Sequence, residues 1–265
     1  MGKRFLRIKS KAFILPSLIT ALSLLFGFLA TLSAFDQSFE AAALFIFLSV
    51  VADNLDGMAA RKLHATSEFG KNLDSLSDLI AFGMAPAVML YTWGLQCGAD
   101  QFGKYGVIIA FIYLACGAMR LARFNSGVSN PNIPKNWFQG LPIPGAAGII
   151  VTLCYINPAP ITDITHSAAL VVVSLLLSWL MVSSIPYPSD KNFSFKQAHR
   201  GGIFFVFCLT LAFIYYSPKV TLAIGFISYG VSGLVLKLWS LLFKKKPGKN
   251  ETDGGNLQVP YQTEV

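Results

Sequence analysis

Long apolar runs recur along this chain of 265 residues, and they constrain its fold more than any other feature. Eight of them approach the ~17–25 residues that an α-helix needs to cross a bilayer. They cover residues 13–34, 39–60, 74–96, 105–124, 143–157, 166–186, 202–217 and 220–243. Only 13% of the residues are charged, against about 25% in soluble domains. The sequence therefore predicts an all-α membrane protein, a polytopic bundle of about eight transmembrane helices.

The apolar runs leave little chain for a separate soluble domain. We therefore expect residues 1–243 to form a single membrane-embedded domain. Residues 244–265 are polar and contain several Gly and Lys residues, so we expect them to be a disordered tail. The first apolar run is longer than the ~7–15 residues of a signal-peptide core. We expect it to be a retained first span.

Basic residues fall on one side of the predicted spans. If the N-terminus is cytoplasmic, that side receives 19 of the 21 Lys and Arg residues, with Lys104 and Lys219 as the exceptions. The positive-inside rule then places both termini in the cytoplasm, and in a bacterium the membrane would be the inner (plasma) membrane. This topology accounts for the net charge of +8. Because no stretch interleaves basic with aromatic residues, we expect no nucleic-acid partner.

Four aspartates interrupt the apolar pattern where the second predicted span ends and the third begins. Asp53 and Asp56 have helical spacing i,i+3, and Asp74 and Asp78 have spacing i,i+4, so each pair shares one helix face. A short hairpin would bring the two pairs together at the cytoplasmic interface. Each carboxylate at membrane depth costs roughly 2.5–3.5 kcal/mol. The few basic residues nearby cannot neutralise all four and also face a substrate.

Divalent cations would offset this cost, because hard oxygen ligands suit Mg²⁺ or Mn²⁺. Four carboxylates could hold two ions ~3.5–4 Å apart, the arrangement used for in-line displacement at phosphorus. Any one of the acids could instead cap a helix or pair with a base. Intramembrane acids also occur in ion-coupled transporters, although there they lie near the midplane of the bilayer. We therefore expect a two-metal site whose ligands are Asp53, Asp56, Asp74 and Asp78.

Small and basic residues surround the aspartates. Gly57 and Ala60 keep one face of the second helix narrow, so that a flat nucleotide base could approach the backbone, and Gly70 relieves crowding opposite. Arg61 offers a planar fork of donors suited to phosphate oxygens. The alternative is that the small residues only let the helices pack closely. Together at these spacings, the residues indicate a site for a nucleotide and its phosphates.

The pattern D-x2-D-G-x2-A-R-x8-G-x3-D-x3-D resembles the signature of the CDP-alcohol phosphotransferase family at every fixed position. The resemblance implies a helical homodimer with a cytoplasm-facing, two-metal site. It also implies that Asp78 is both a ligand and the general base. The family often places Pro-Asn-x-x-Thr in the first span, where this chain has Pro-Ser-Leu-Ile-Thr at residues 16–20. Six residues are thus candidates for binding the CDP-lipid: Thr20, Gly57, Ala60, Arg61, Ser67 and Gly70.

Three further stretches are similar to family members that use serine as the acceptor and make phosphatidylserine. They are LDSLSD at 73–78 with FGMAP at 82–86, RLARFN at 120–125 and GLPIP at 140–144. The similarity implies an enzyme of phospholipid biosynthesis that transfers a phosphatidyl group from CDP-diacylglycerol to L-serine. Arg120, Arg123 and Asn125 are then candidate acceptor-binding residues, although the arginines could instead be snorkelling anchors at the lipid headgroups. Choline, glycerol phosphate or inositol phosphate as the acceptor remains an alternative.

Overall fold

A computed structural model of the protein describes residues 2–64, 67–96, 103–127, 137–188, 213 and 215–242, with side chains from Leu15 onward except at 103 and 240–242. Two short π-helical segments, Leu79–Met84 and Tyr91–Leu95, flank the short α-helix Ala85–Leu90, so residues 68–95 form one continuous span. The α-helices within the described residues are α1 (Gly2–Phe35), α2 (Phe39–Lys62), α3 (Glu68–Asp78), α4 (Ala85–Leu90), α5 (Gly103–Asn125), α6 (Ile143–Ile156), α7 (Ile164–Val182) and α8 (Pro218–Leu242).

The protein is an integral membrane protein with an all-α fold, as the sequence predicts. Among the described residues, six helices are long and apolar enough to span a membrane: Leu15–Phe35, Phe39–Lys62, Glu68–Leu95, Lys104–Asn125, Ile164–Val182 and Pro218–Trp239. The predicted fifth span corresponds to α6, whose 14 residues rise about 21 Å, short of the ~30 Å hydrocarbon core. The predicted seventh span lies outside the described residues except at 213 and 215–217, as does the whole predicted tail. The number of eight spans is therefore not confirmed.

Local sequence signals set several helix ends. Helix α3 begins six residues before the predicted third span, because the Ser67 hydroxyl accepts a hydrogen bond from the Gly70 backbone N–H at 2.9 Å and caps the first turn. Helix α8 begins at Pro218, since proline has the backbone angle and the missing N–H that suit a first helical position. The predicted sixth span ran to residue 186, but α7 ends at Val182.

The chain beyond α7 forms a strand that the sequence did not predict. Strand β2 (Pro186–Pro188) pairs antiparallel with β1 (Trp137–Gln139), with Phe138 opposite Tyr187. This two-stranded ladder joins the segment before α6 to the segment after α7. It matters for function because Phe138 lines one of the clefts described below.

The helices pack in a few main pairs: α1 on α2, α5 on α7, and α6 on both α2 and α8. Within the core, the Tyr113 hydroxyl donates a hydrogen bond to the Phe82 carbonyl at 3.1 Å, which satisfies a backbone acceptor in the first π-helical segment. Large apolar side chains on the spanning helices face outward, as lipid contact requires. The largest fully buried side chains include Tyr113, Tyr187, Phe39, Phe82, Ile150 and Met181.

Helix α1 lies close against the two helices that carry the aspartates. The hydroxyls of Ser23 on α1 and Ser49 on α2 are 2.7 Å apart, a polar contact of the kind that holds helices together in lipid. A Cβ atom on Gly27 would lie 2.7 Å from the Ala81 Cα, so only glycine permits this approach to the third span. Helix α1 thus forms a common support for α2 and α3.

Candidate active site

The four aspartates lie on α2 and α3, in the halves of the second and third spans that the connection 63–67 joins. Oxygen atoms of Asp53, Asp56 and Asp74 all lie within 4.8 Å of one another. The side chain of Asp53 is also within hydrogen-bonding reach of both Asp74 and Asp78. Pairs of acids that are about twenty residues apart in the chain therefore meet at one place. The structure brings together all four acids named from the sequence.

Helix α1 supports this cluster from behind. The Thr20 hydroxyl donates a hydrogen bond to Asp56 Oδ2 at 2.5 Å, and the Asp56 side chain is buried. The Ser77 hydroxyl on α3 donates to the Thr20 backbone carbonyl at 3.3 Å. These bonds fix the orientation of one carboxylate and tie α3 to α1. Such outer hydrogen bonds commonly orient metal-binding carboxylates.

The chemistry of the cluster fits a divalent cation. Carboxylate oxygens are hard ligands of the kind that Mg²⁺ and Mn²⁺ prefer. Oδ1 of Asp78 is buried and finds no hydrogen-bond partner among the residues that the structure describes. A buried acceptor without a partner costs free energy, and a cation held by Asp53, Asp56 and Asp74 would lie near enough to attract it. The acids therefore form a candidate metal centre, with Asp78 at its edge.

A cleft of about 170 Å³ opens on one side of the aspartates, and we call it the smaller cleft. Asp56 and Asp74 form its floor, and the remaining lining comes from α1, α2 and the start of α3. All six residues predicted to bind the CDP-lipid line it. The full lining is Pro16, Ser17, Thr20, Asp56, Gly57, Ala60, Arg61, Ser67, Gly70, Lys71 and Asp74.

Two basic residues, Arg61 and Lys71, line the smaller cleft because of the local structure around them. A Cβ atom on Gly57 would lie 3.3 Å from Nη1 of Arg61, so the missing side chain lets the guanidinium fold back over the helix face. Lys71 projects from the first turn of α3, which Ser67 caps. The sequence interpretation did not assign Lys71 to nucleotide binding, although its place beside Gly70 in the motif could have suggested it.

A second cleft of about 720 Å³, the larger cleft, opens on the other side of the aspartates. Its polar end holds all four aspartates and two arginines, Arg61 and Arg120, so Arg61 lines both clefts. Its apolar walls come from β1, the start of α6 and one face of α8, in addition to α5. The other lining residues, which were not among the site candidates from the sequence, are Asn54, Ser75, Leu121, Phe124, Phe138, Pro142, Pro144, Gly145, Thr221, Leu222, Gly225, Phe226 and Tyr229. The GLPIP stretch at 140–144 indicated the wall at the start of α6, and no pattern in the sequence indicated α8.

The three candidate acceptor-binding residues do not lie together. Arg120 lines the larger cleft, is 8% exposed, and interacts electrostatically with Asp78. Its guanidinium carbon lies 5.7 Å from the centre of the Phe124 ring. Arg123 does not line the cleft, and its guanidinium donates to backbone carbonyls instead. Asn125 also lies outside the cleft and donates to the Ser75 hydroxyl at 2.8 Å.

The chain is similar in sequence to a known protein family and to several of its members. The sequence model of the CDP-alcohol phosphatidyltransferase family matches residues 13–185. A CDP-diacylglycerol–serine O-phosphatidyltransferase of Helicobacter pylori is 31% identical over 238 residues, which cover 88% of this chain and 96% of that protein. The enzyme of the same name from Bacillus subtilis is 35% identical over 188 residues, covering 71% and 97%. An archaetidylserine synthase of Methanothermobacter thermautotrophicus is 37% identical over 179 residues, covering 66% and 69%.

Proposed function

The chain belongs to the CDP-alcohol phosphatidyltransferase family, and we propose that it transfers the phosphatidyl group of CDP-diacylglycerol to the hydroxyl of L-serine, releasing CMP. The names of the Helicobacter and Bacillus relatives give serine as the acceptor. One observation in the structure carries the proposal. The aspartate cluster is the shared wall between two clefts, because Asp56 and Asp74 line both of them.

The smaller cleft suits the CDP group of the donor. Arg61 and Lys71 bring two positive charges to a small space, as a pyrophosphate requires. The small side chain of Ala60 leaves room for a flat base against α2, while the space beside Gly57 holds the Arg61 guanidinium. The Ser67 hydroxyl, which caps α3, lies at the rim of the same space. We assign the CDP group to this cleft.

Asp53, Asp56 and Asp74 would hold divalent cations, with the free oxygen of Asp78 as a further ligand. We propose two ions, Mg²⁺ or Mn²⁺. When bound, they would stabilise the negative charge on the attacking and leaving oxygens of the phosphoryl transfer. The protein itself contributes the fixed orientation of the ligands, through the hydrogen bond from Thr20 to Asp56.

The larger cleft suits the acceptor. We place the serine carboxylate against Arg120 and the serine hydroxyl beside Asp78. Asp78 then accepts the hydroxyl proton as the serine oxygen attacks the phosphorus that carries diacylglycerol. The new O–P bond forms while the P–O bond to CMP breaks, and CMP leaves with the bonding electrons through the smaller cleft. Holding both substrates at one cluster makes the attack effectively intramolecular.

We place both clefts at the cytoplasmic side, where soluble serine and CMP can exchange. Arg61, Lys62 and Lys71 lie in the same halves of the second and third spans as the aspartates. At the opposite end, Lys219 of α8 forms an ion pair with Glu40 of α2 at 3.1 Å. This distribution agrees with the positive-inside rule. The homodimer and the single domain over residues 1–243 remain predictions from the sequence.

A panel of acceptors tests the proposal. Purified protein is given CDP-diacylglycerol with serine, choline, glycerol phosphate or inositol phosphate, and CMP release is measured. We expect release that depends on serine and on a divalent cation. CMP release with another alcohol and not with serine would show that the protein uses a different acceptor. No release with any acceptor, together with metal-coupled ion flux in vesicles, would point to a transporter.

A further inference from the structure

The Arg123 guanidinium is bound to the backbone at the end of a neighbouring helix. Its Nη1 donates to the Val182 carbonyl at 2.7 Å, and its Nη2 donates to the carbonyls of Gln139 and Met181 at 2.9 and 3.1 Å. The Ser183 carbonyl lies 3.4 Å from the same Nη2. The last carbonyls of a helix lack partners within the helix. Arg123 therefore caps α7 from the last turn of α5.

The segment that enters α6 is fastened to the same place. Gly140 has a φ of +78°, and a Cβ there would lie 2.4 Å from the Met181 carbonyl oxygen and 3.0 Å from Arg123 Nη2. Only glycine meets both conditions without strain. The Gly140 N–H donates to the Ile185 carbonyl at 2.8 Å, and the Leu141 N–H donates to that of Leu180 at 3.0 Å. We call Arg123, Gly140 and the carbonyls that they contact the clasp.

The clasp lies directly behind one wall of the larger cleft. Phe138 precedes it in β1, and Pro142 follows it at the start of α6; both line the cleft. The ring of Phe138 packs against Phe124 with centroids 6.4 Å apart, and Phe124 in turn lies under Arg120. A chain of contacts thus leads from Arg123, which does not line the cleft, to Arg120, which does.

We propose that Arg123 is a positioning residue for the acceptor: the clasp holds the Phe138–Pro142 wall and Phe124 so that the Arg120 guanidinium faces Asp78. This inference rests on the proposed acceptor role of the larger cleft. Arg123 and Arg120 are one helical turn apart on α5, yet they have different tasks. One binds the protein backbone, and the other is left to bind the substrate.

Two variants disturb the clasp from opposite sides. Arg123→Lys keeps the positive charge but loses the planar fork that reaches several carbonyls at once. Gly140→Ala leaves Arg123 in place but inserts a methyl group against the Met181 carbonyl. Lys62→Arg, on an exposed residue outside both clefts, is the matched control.

We expect both clasp variants to raise the KM for serine about fivefold to tenfold, with kcat and the KM for CDP-diacylglycerol changed less than about twofold. CMP should still raise the melting temperature of both variants as it does for the wild type. An unchanged serine KM in folded Arg123→Lys would overturn the proposal, as would a parallel change in all constants. If Arg123→Lys raises the KM for serine and the folded Gly140 variant does not, Arg123 contacts serine directly. That result would also overturn the proposal. If the wild type prefers another acceptor, the proposed function fails, and the same comparison with that acceptor still tests the clasp.

Discussion

The smaller cleft is lined by residues 16–74, a single stretch of chain, whereas the larger cleft takes residues from Asp53 to Tyr229 on five helices and a strand. Both include Asp56, Gly57, Arg61 and Asp74. The smaller cleft is narrow, while the larger cleft is wide and mostly apolar away from its polar end. The cleft that we propose for the donor is therefore formed by a local sequence motif, whereas the cleft that we propose for the acceptor is formed by the tertiary fold.

The different origins of the two clefts bear on substrate specificity. A cleft built from one motif can recognise the part of the donor that does not vary, the CDP group. A cleft assembled from distant elements can change with each of them, so it suits the part of the reaction that differs between members of a family. Helix α8 supplies five residues to the larger cleft and lies beyond residues 13–185 that the family model matches.

Asp78→Asn should have the largest effect, because it removes the proposed proton acceptor. Loss of a general base lowers kcat by about 10²–10⁴-fold. Asp78 does not line the smaller cleft, so affinity for CMP measured by thermal shift should stay within a few-fold of the wild type. Asp36→Asn, on an exposed acid away from both clefts, is the control. Substantial turnover by Asp78→Asn would remove this residue from the base role.

Arg120→Gln should act on the acceptor side alone. Hydrogen bonds to charged groups contribute about 1.5–3 kcal/mol, so we expect the KM for serine to rise about 10- to 100-fold. The KM for CDP-diacylglycerol should change little. Lys104→Gln, on an exposed residue at the other end of α5, provides the control for loss of one positive charge. Equal rises in both KM values would contradict the division between the clefts.

Arg61→Lys should give a smaller effect of the opposite kind. The charge is kept and only the fork geometry is lost, at a cost of about 1 kcal/mol, the usual value of one hydrogen bond. We expect the KM for CDP-diacylglycerol to rise about fivefold, and the KM for serine, whose proposed cleft Arg61 also borders, to rise less than about twofold. Lys62→Gln, the exposed neighbour, should leave both values as they are. A selective rise in the serine KM would instead place Arg61 on the acceptor side.

The proximity of the four aspartates could be predicted from the sequence because it depends on residues close together in the chain. Helical spacing places Asp53 with Asp56 and Asp74 with Asp78, and one short connection is enough to bring the pairs together. The candidate residues of the smaller cleft belong to the same motif or to the facing turn of α1. The all-α membrane fold could also be predicted from the sequence, because an apolar run long enough to span a membrane has few alternatives to an α-helix.

The acceptor side could not be predicted in the same way. The sequence predicted the same role, acceptor binding, for Arg120 and Arg123. Their actual partners depend on where α7 ends and on the pairing of β1 with β2, which are contacts between segments far apart in the chain. In the sequence, Tyr229 and Phe226 do not differ from other residues of a membrane helix. Only the packing of α6 against α8 brings them to the larger cleft. No local pattern marks such positions.

Formation of labelled product tests the central claim most directly. Purified protein would receive CDP-diacylglycerol and isotope-labelled serine with Mg²⁺ or Mn²⁺, and labelled phosphatidylserine and CMP would be quantified by mass spectrometry. We predict equimolar amounts of the two products, loss of both on chelation of the metal, and recovery of both when the metal is returned. Release of CMP without labelled lipid, or labelled lipid that forms equally well in the presence of the chelator, would contradict the account.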